Sequence, residues 1–169
     1  VFVKDIEDRY KNKPVVIDLF AGCGGLSLGL EQAGFYPIFV NELNQDAMAS
    51  YLINRKRLNS LLMTKYNTAD IKNFVLKKNI IEDLIDGFKA DYRCDAKKGE
   101  IDLVAGGPPC QGYSGIGHRR SYSVDKKQLP SNFLYQDMAY FINKVRPKIF
   151  LFENVKGLLS SRCSTARDN

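Results

Sequence analysis

The 169-residue chain has little of what a metal centre or a disulfide framework needs. It contains one histidine, His118, and four cysteines that form no CxxC pair. The cysteines are Cys23, Cys94, Cys110 and Cys163. Because a structural zinc site is built from clustered Cys and His ligands, we expect no metal and we expect the cysteines to be reduced thiols.

Long hydrophobic runs are also lacking. No apolar stretch approaches the roughly 20 residues that cross a bilayer, and residues 1–14, VFVKDIEDRYKNKP, have no apolar core of a secretory leader. We therefore expect an intracellular, cytoplasmic protein that has no membrane partner.

The composition itself is that of one soluble domain, with 44% hydrophobic and 26% charged residues. Lys and Arg number 25 against 19 Asp and Glu, a net charge of +6 that favours a polyanionic partner. The positive charge is concentrated in His118–Lys127, where Asp125 is the opposing acid. By charge alone, a solvated loop is favoured over a binding role for this segment.

Short β-branched runs alternate with segments of helical spacing along the chain. The predicted strands are 15–20, 36–40, 101–107 and 148–155, and the predicted helices are 26–33, 44–57 and 135–145. Asn44 or Asp46 is the expected cap of the second helix, and the strands 101–107 and 148–155 are expected to be buried. This alternation predicts an α/β fold with an open, mostly parallel sheet and helices on both faces, and ligands at the carboxyl ends of the strands.

Three segments do not fit the alternation. Residues 72–100 are polar and weakly periodic, with KADYRCDAKKGE as the least structured part, which indicates an insertion. Residues 1–14 are expected to be an extension and 160–169 a polar tail. Since the chain starts with Val, we expect it to be a piece of something longer, with its domain over 15–159.

A glycine turn, AGCGG, follows the first predicted strand. Gly22, Gly24 and Gly25 do not form GxGxxG, and no phosphate-binding lysine follows, so a dinucleotide or triphosphate ligand is disfavoured. Glu42 stands 20 residues beyond Gly22, where a carboxylate accepts from both hydroxyls of a ribose. Asp70 ends the next strand and suits an adenine amino group. The alternatives are that the glycine turn has a structural role only and that Glu42 and Asp70 are helix caps.

The stretch GGPPCQGYSGIGHRR holds Cys110 behind Pro108 and Pro109. Two prolines fix the backbone and remove two donors, so the thiol is presented from a rigid loop at a strand end. A nucleophile needs such a frame, although loop cysteines without a catalytic role are common.

Five motifs occur in the order typical of the cytosine-5 DNA methyltransferases, and the chain resembles that family over most of 15–159. They are DLFAGCGGLSLGLEQAGF, NELNQDA, ADI, GGPPCQGYSGIGHRR and FENVKGL. The resemblance implies the Rossmann-like fold of S-adenosylmethionine-dependent methyltransferases. The segment 72–100 is longer than the family usually has there.

The resemblance also implies the residues that bind S-adenosylmethionine, with Glu42 on the ribose, Asp70 on the adenine amino group and Ile71 on the ring. The full set is Phe20, Ala21, Gly22, Cys23, Gly24, Gly25, Leu26, Glu42, Leu43, Asp70, Ile71, Gly107, Pro109 and Leu134.

The catalytic residues implied by the resemblance are Cys110, Glu153 and Asn154. Cys110 would add to carbon 6 of a flipped cytosine, Glu153 would donate to ring nitrogen 3, and Asn154 would orient the loop. The expected contacts to double-stranded DNA are Gln111, Ser114, Arg119 and Arg120.

Two alternatives stay open at this point: a tRNA cytosine-5 methyltransferase of the same family, and a non-catalytic module that binds S-adenosylmethionine. The family also has a downstream motif for the flipped base, a target-recognition domain and a C-terminal helix, which this chain does not contain. We therefore expect a fragment or one subunit of an enzyme, inactive alone, that belongs to a restriction-modification system. In a bacterium it would be associated with the nucleoid.

Overall fold

A computed structural model describes residues 12–77, 79–109 and 133–154. The strands are β1 (Val15–Leu19), β2 (Tyr36–Asn41), β3 (Asn67–Thr68), β4 (Leu103–Gly106) and β5 (Ile149–Phe152). The helices are α1 (Gly25–Gln32), α2 (Gln45–Arg55), α3 (Leu61–Thr64), α4 (Asn73–Leu76), α5 (Ile80–Tyr92) and α6 (Leu134–Val145), with a 3-10 turn at Ala96–Lys98. Within the described ranges no helix is long and apolar enough to cross a membrane.

The five strands form one parallel sheet in the order β3-β2-β1-β4-β5. The chain runs outward from β1 through β2 to β3, and then crosses back to place β4 on the other side of β1. This reversal makes the carboxyl ends of β1 and β4 the point where an open α/β sheet forms a crevice. The predicted α/β fold with a parallel sheet is confirmed.

Helices cover both faces of this sheet, as the sequence predicted. On one face, Leu26 and Leu30 of α1 pack over Val16, Leu103 and Ala105. On the other face, the Phe39 ring contacts rings from α4, α5 and α6, with centroids 5.8 to 6.2 Å apart. These rings belong to Phe74, Phe88 and Phe141. The larger part of the core therefore lies on the α4–α6 side.

The start of α2 confirms the predicted cap. Asn44 has an extended backbone, and its side chain accepts from the Ala47 N–H at 3.0 Å. Of the apolar residues in this helix, Tyr51 is fully buried and Leu52 packs against the core, whereas Ile53 is exposed.

The segment 72–100, predicted to be an insertion, contains regular structure although its composition is polar. The 13-residue helix α5 runs through it and buries Ile81, Ile85, Phe88 and Tyr92. These residues are spaced by four, three and four positions, so they form one apolar stripe. The part expected to be least structured includes the last turn of α5 and the 3-10 turn, which Asp95 caps by accepting from the Lys97 N–H. That the segment 72–100 is longer than the corresponding segment of the family stays a prediction.

The expectation of a buried strand is right for β4 and wrong for β5. Every residue of β4 is buried. In β5, by contrast, Ile149, Phe150 and Leu151 are 66%, 60% and 41% exposed. Within the described part of the chain β5 is one of the two edge strands of the sheet, so it has a neighbouring strand on one side only. The apolar run therefore predicts the strand correctly, but it does not predict whether other parts of the protein bury that strand.

The buried face of α5 gives a testable prediction. Replacing Phe88, which is 0% exposed, with Ala should lower the free energy of unfolding by about 3–5 kcal/mol, because a cavity opens between three aromatic rings. Leu76→Ala, at a position 77% exposed, should stay within about 0.5 kcal/mol of wild type. Urea denaturation followed by circular dichroism measures both. Equal effects would mean that α5 is peripheral to the core.

Candidate cofactor and active site

A cleft of about 140 Å³ lies at the carboxyl edge of the sheet. Its walls come from the residues that follow β1 to β4 and from the start of α6. The lining residues are Phe20, Asn41, Glu42, Leu43, Ala69, Asp70, Ile71, Gly107, Pro109 and Leu134. Eight of these ten residues are predicted cofactor residues, so separate stretches of sequence converge on one place.

Asn41 and Ala69 line the cleft but were not predicted. The Asn41 side chain is buried and its Nδ2 donates to the carbonyls of Thr68 and Ala69, at 3.0 and 2.9 Å. Its Oδ1 accepts from the Phe20 N–H at 3.4 Å. Asn41 therefore ties the ends of β1 and β3 to β2. In the sequence, the signal for a role of Asn41 is its position directly before Glu42. Its hydrogen-bond partners could not be predicted because they are distant in sequence.

The other predicted cofactor residues form the glycine turn, Ala21–Leu26, between β1 and α1. Phe20, Gly22 and Gly24 have φ values of 58°, 55° and 91°, in the left-handed region that glycine adopts without strain. The Gly24 N–H donates to the Ala21 carbonyl at 2.9 Å, which closes the turn. The sequence predicted this turn, and its left-handed Phe20 was not foreseen.

Glu42 connects the glycine turn to the end of β2. One carboxylate oxygen accepts from the Gly22 N–H at 2.8 Å, and the other accepts from the Asn44 N–H at 2.7 Å. A carboxylate offers about four acceptor positions on its two oxygens, so it can accept two further hydrogen bonds. The cap of α2 is Asn44 and not Glu42, which removes the simple capping alternative.

For Asp70, the alternative role as a local cap is partly right. Its Oδ1 accepts from the Lys72 N–H at 2.9 Å, a local turn just before α4. It nevertheless lines the cleft together with Ile71, opposite the residues that follow β4.

A network of buried polar side chains contacts the glycine turn. The Ser27 hydroxyl donates to Asp18 Oδ2, and its oxygen lies 2.7 Å from the Tyr51 hydroxyl. Arg55 is 4% exposed, donates from Nη2 to the Gly24 carbonyl at 3.0 Å, and bonds Glu31 through Nε. The network therefore links the turn to both α1 and α2.

Gly24 has no room for a side chain beside this network. An added Cβ would lie 2.7 Å from a Tyr51 ring carbon and closer still to the Arg55 guanidinium, which stacks 3.9 Å above the Tyr51 ring. Glycine is thus required at this position both by its φ and by its neighbours.

Asp18 is the costly member of the network. It is 1% exposed, and within the described residues its Oδ1 has no hydrogen-bond partner. Burial raises the pKa of Asp18 to about 6, although the Ser27 hydroxyl and the Arg55 charge oppose the rise.

Glu153 and Asn154 follow β5 beside the cleft. The Glu153 N–H donates to the Gly106 carbonyl at 3.0 Å, and the Asn154 side chain donates to the Pro108 carbonyl at 3.4 Å. Asn154 therefore contacts the proline pair that precedes Cys110. The remaining predicted residues lie outside the described residues, namely Cys110, Gln111, Ser114, Arg119 and Arg120.

A larger groove of about 400 Å³ lies beside β3, between Tyr66, Phe74 and Leu84. Its walls include the buried or half-buried side chains of Phe39, Tyr66, Phe74, Ile80 and Leu84, and it contains none of the predicted residues. Because ligands of open α/β sheets bind at strand carboxyl ends, we take the smaller cleft as the candidate site.

Comparison with known proteins gives consistent results. A family model described as C-5 cytosine-specific DNA methylase matches residues 15–169. The type II methyltransferase M.AgeI of Thalassovita gelatinovora is 39% identical over 144 residues, which are 85% of this chain and 28% of that protein. M.PspPI of Psychrobacter sp. (strain TA137), also a type II methyltransferase, is 35% identical over 143 residues, 85% of this chain and 27% of that protein.

A solved structure agrees with the sequence comparisons. It belongs to a protein of E. coli assigned as a DNA modification methyltransferase encoded within a prophage, with a TM-score of 0.57 and 33% identity. The match covers 86% of this chain and 33% of that one. The chain therefore spans about a third or less of the length of these relatives.

The raised pKa of Asp18 predicts how stability depends on pH. Since the folded pKa of about 6 exceeds the ordinary 3.8, Asp18 stabilises the fold most below pH 4, and this contribution is lost as the pH rises through 6. Relative to wild type, Asp18→Asn should therefore gain roughly 2 kcal/mol between pH 4 and 6.5. Urea denaturation across this range measures the difference. Asp86→Asn, at a side chain 67% exposed, should show a flat difference, and a flat result for Asp18→Asn would contradict the assignment.

Proposed function

The chain belongs to the C-5 cytosine-specific DNA methylase family, and we propose that it forms the catalytic, S-adenosylmethionine-binding part of a DNA (cytosine-5-)-methyltransferase. The observation that carries the proposal is the convergence of Phe20, Glu42, Asp70, Gly107 and their neighbours on one cleft at the carboxyl edge of the sheet. The names of the relatives support a restriction-modification setting. An enzyme with this substrate works where the DNA is, which in a bacterium is the nucleoid.

The residues of the cleft fit S-adenosylmethionine chemically. Glu42 accepts from two backbone N–H groups and retains acceptor positions for the two ribose hydroxyls. Asp70 uses one oxygen for the Lys72 N–H and has a second for an adenine amino group. Phe20, Ile71 and Leu134 supply apolar walls.

The size of the cleft indicates that these residues form part of the complete site. Pockets for small molecules usually measure about 300–1,000 Å³, whereas this cavity has about 140 Å³. We infer that the ribose and adenine lie in the cleft and that the methionine part extends along Gly107 and Pro109. The remaining cover would come from segments outside the described residues.

The chemistry requires a nucleophile because carbon 5 of cytosine is too electron-poor to take a methyl group directly. The Cys110 thiolate adds to carbon 6, while Glu153 donates to ring nitrogen 3 as negative charge develops there. S-adenosylmethionine supplies the electrophilic methyl group on its sulfonium. Carbon 5 would accept this methyl group, with S-adenosylhomocysteine as the leaving group. A base would then remove the carbon-5 proton, ring nitrogen 3 would return its proton to Glu153, and Cys110 would leave with its electron pair, which restores the thiolate.

The target cytosine has to leave the duplex to reach Cys110, since a stacked base exposes neither face. We propose that Gln111 and Ser114 contact the flipped nucleotide and that Arg119 and Arg120 contact backbone phosphates. Phosphate contacts carry no sequence information, so base-edge recognition would come from the part of the enzyme that corresponds to the additional length of the relatives.

Replacing the nucleophile tests the proposed mechanism directly. Cys110→Ser in the complete methyltransferase should abolish methyl transfer, because a serine hydroxyl near neutral pH is a far poorer nucleophile than a thiolate. DNA binding should be retained. Transfer from tritiated S-adenosylmethionine and covalent capture of DNA containing 5-fluorocytosine are the measurements, with Cys163→Ser as the matched control. Capture by the Cys110→Ser protein would overturn the assignment.

Replacing Glu42 tests the ribose site. Glu42→Ala should weaken S-adenosylmethionine binding by ~1.5–3 kcal/mol, about 10- to 150-fold in Kd, through loss of charge-assisted hydrogen bonds. Glu42→Gln keeps one acceptor oxygen and should give an intermediate loss. Isothermal calorimetry measures the affinity, and circular dichroism checks that the glycine turn still folds. Unchanged affinity in both variants would place the ribose elsewhere.

A further inference from the structure

Gly106 is the last residue of β4 and Gly107 follows it, and the two glycines face different neighbours. A Cβ on Gly106 would lie 2.9 Å from the Leu19 carbonyl oxygen and 3.0 Å from the end of Met138. Since the Leu19 carbonyl belongs to the backbone of β1, Gly106 is required by the packing of the sheet.

Among the described residues, Glu153 supplies the three atoms nearest to the position where a Cβ on Gly107 would lie. A Cβ on Gly107 would lie 2.7 Å from Glu153 Oε2, and the next two nearest atoms, at 3.7 and 3.8 Å, also belong to Glu153. The backbone of Gly107 lies outside the left-handed region, so its conformation does not require glycine. The space that a side chain would take is therefore used by one carboxylate.

The sheet explains why these two residues meet. Strands β4 and β5 are parallel, Gly106 pairs with Phe152, and the Glu153 N–H donates to the Gly106 carbonyl. Gly107 and Glu153 are the next residues along each strand, and side chains at adjacent positions of neighbouring strands lie on the same side. The Glu153 side chain can therefore lie across the end of β4, beside the cleft that Gly107 lines.

We propose that Gly107 is a positioning residue for Glu153. Because Gly107 has no side chain, it leaves the space in which the Glu153 carboxylate lies beside the wall of the cofactor cleft. The inference rests on the proposed function, in which Glu153 donates to the target base. Gly107 then has a second role besides lining the cofactor site. It sets the distance between the group that polarises the base and the place where the methyl donor lies.

A double-mutant cycle on the complete methyltransferase tests this role. Gly107→Ala should lower the single-turnover rate of methyl transfer at saturating S-adenosylmethionine by about 10- to 1,000-fold, the range for a displaced acid or hydrogen-bond donor. In the Glu153→Gln background the same substitution should change the rate by less than about twofold, because the group that it displaces is already disabled. Because Gly107 also lines the cofactor cleft, the Kd for S-adenosylmethionine, measured by calorimetry, should change by the same factor in both backgrounds, whereas the rate at saturation should separate them.

The matched control is Gly29→Ala on α1, where an added Cβ meets no atom within 4 Å. It should leave both the rate and the Kd unchanged. If Gly107→Ala fails to fold, Gly107→Ala combined with Glu153→Ala should fold, since removal of the carboxylate frees the space for the Cβ.

Three results would overturn the role of Gly107. They are an equal rate loss in both backgrounds, a weaker Kd with an unchanged rate at saturation, and a double Ala variant that does not fold. A Glu153→Gln protein that is as fast as wild type is a different failure, because it removes Glu153 from the proposed mechanism.

Discussion

The chain has to leave a buried strand and start a helix within five residues after Leu19, and the site is built around this constraint. The turn succeeds by placing three residues in the left-handed region, two of which are glycines. Its backbone N–H groups then point toward β2, where the Glu42 carboxylate accepts from Gly22. A tight turn thus connects the ends of the first two strands at the candidate cleft.

The buried polar network beside the glycine turn fixes the position of the turn more than it stabilises the fold. Burying the charges of Asp18 and Arg55 carries a desolvation cost that their attraction only partly offsets, as the raised pKa of Asp18 indicates. What the network provides is a fixed position for the Gly24 carbonyl, held by Arg55 between two helices. Shape complementarity at Gly24 then excludes any other residue.

Much of the fold, and the convergence of the predicted residues on one candidate cleft, could be predicted because they depend on local signals. β-branched runs, the Asn44 cap and the acids at Glu42 and Asp70 are all readable within a few residues of sequence. The misses depend on tertiary contacts. Asn41 acts on the backbone of a distant strand, the stripe of α5 is hidden among charged residues, and the exposure of β5 depends on sheet order.

The exposed strand β5 has a consequence for handling the 169-residue chain. A row of backbone donors and acceptors with large apolar side chains beside it is a template for a strand of another molecule. Charged residues or proline, which usually protect such edges, do not occur between Ile149 and Phe152. When this chain is produced by itself, we expect aggregation that grows with concentration, and we expect it to start at this strand.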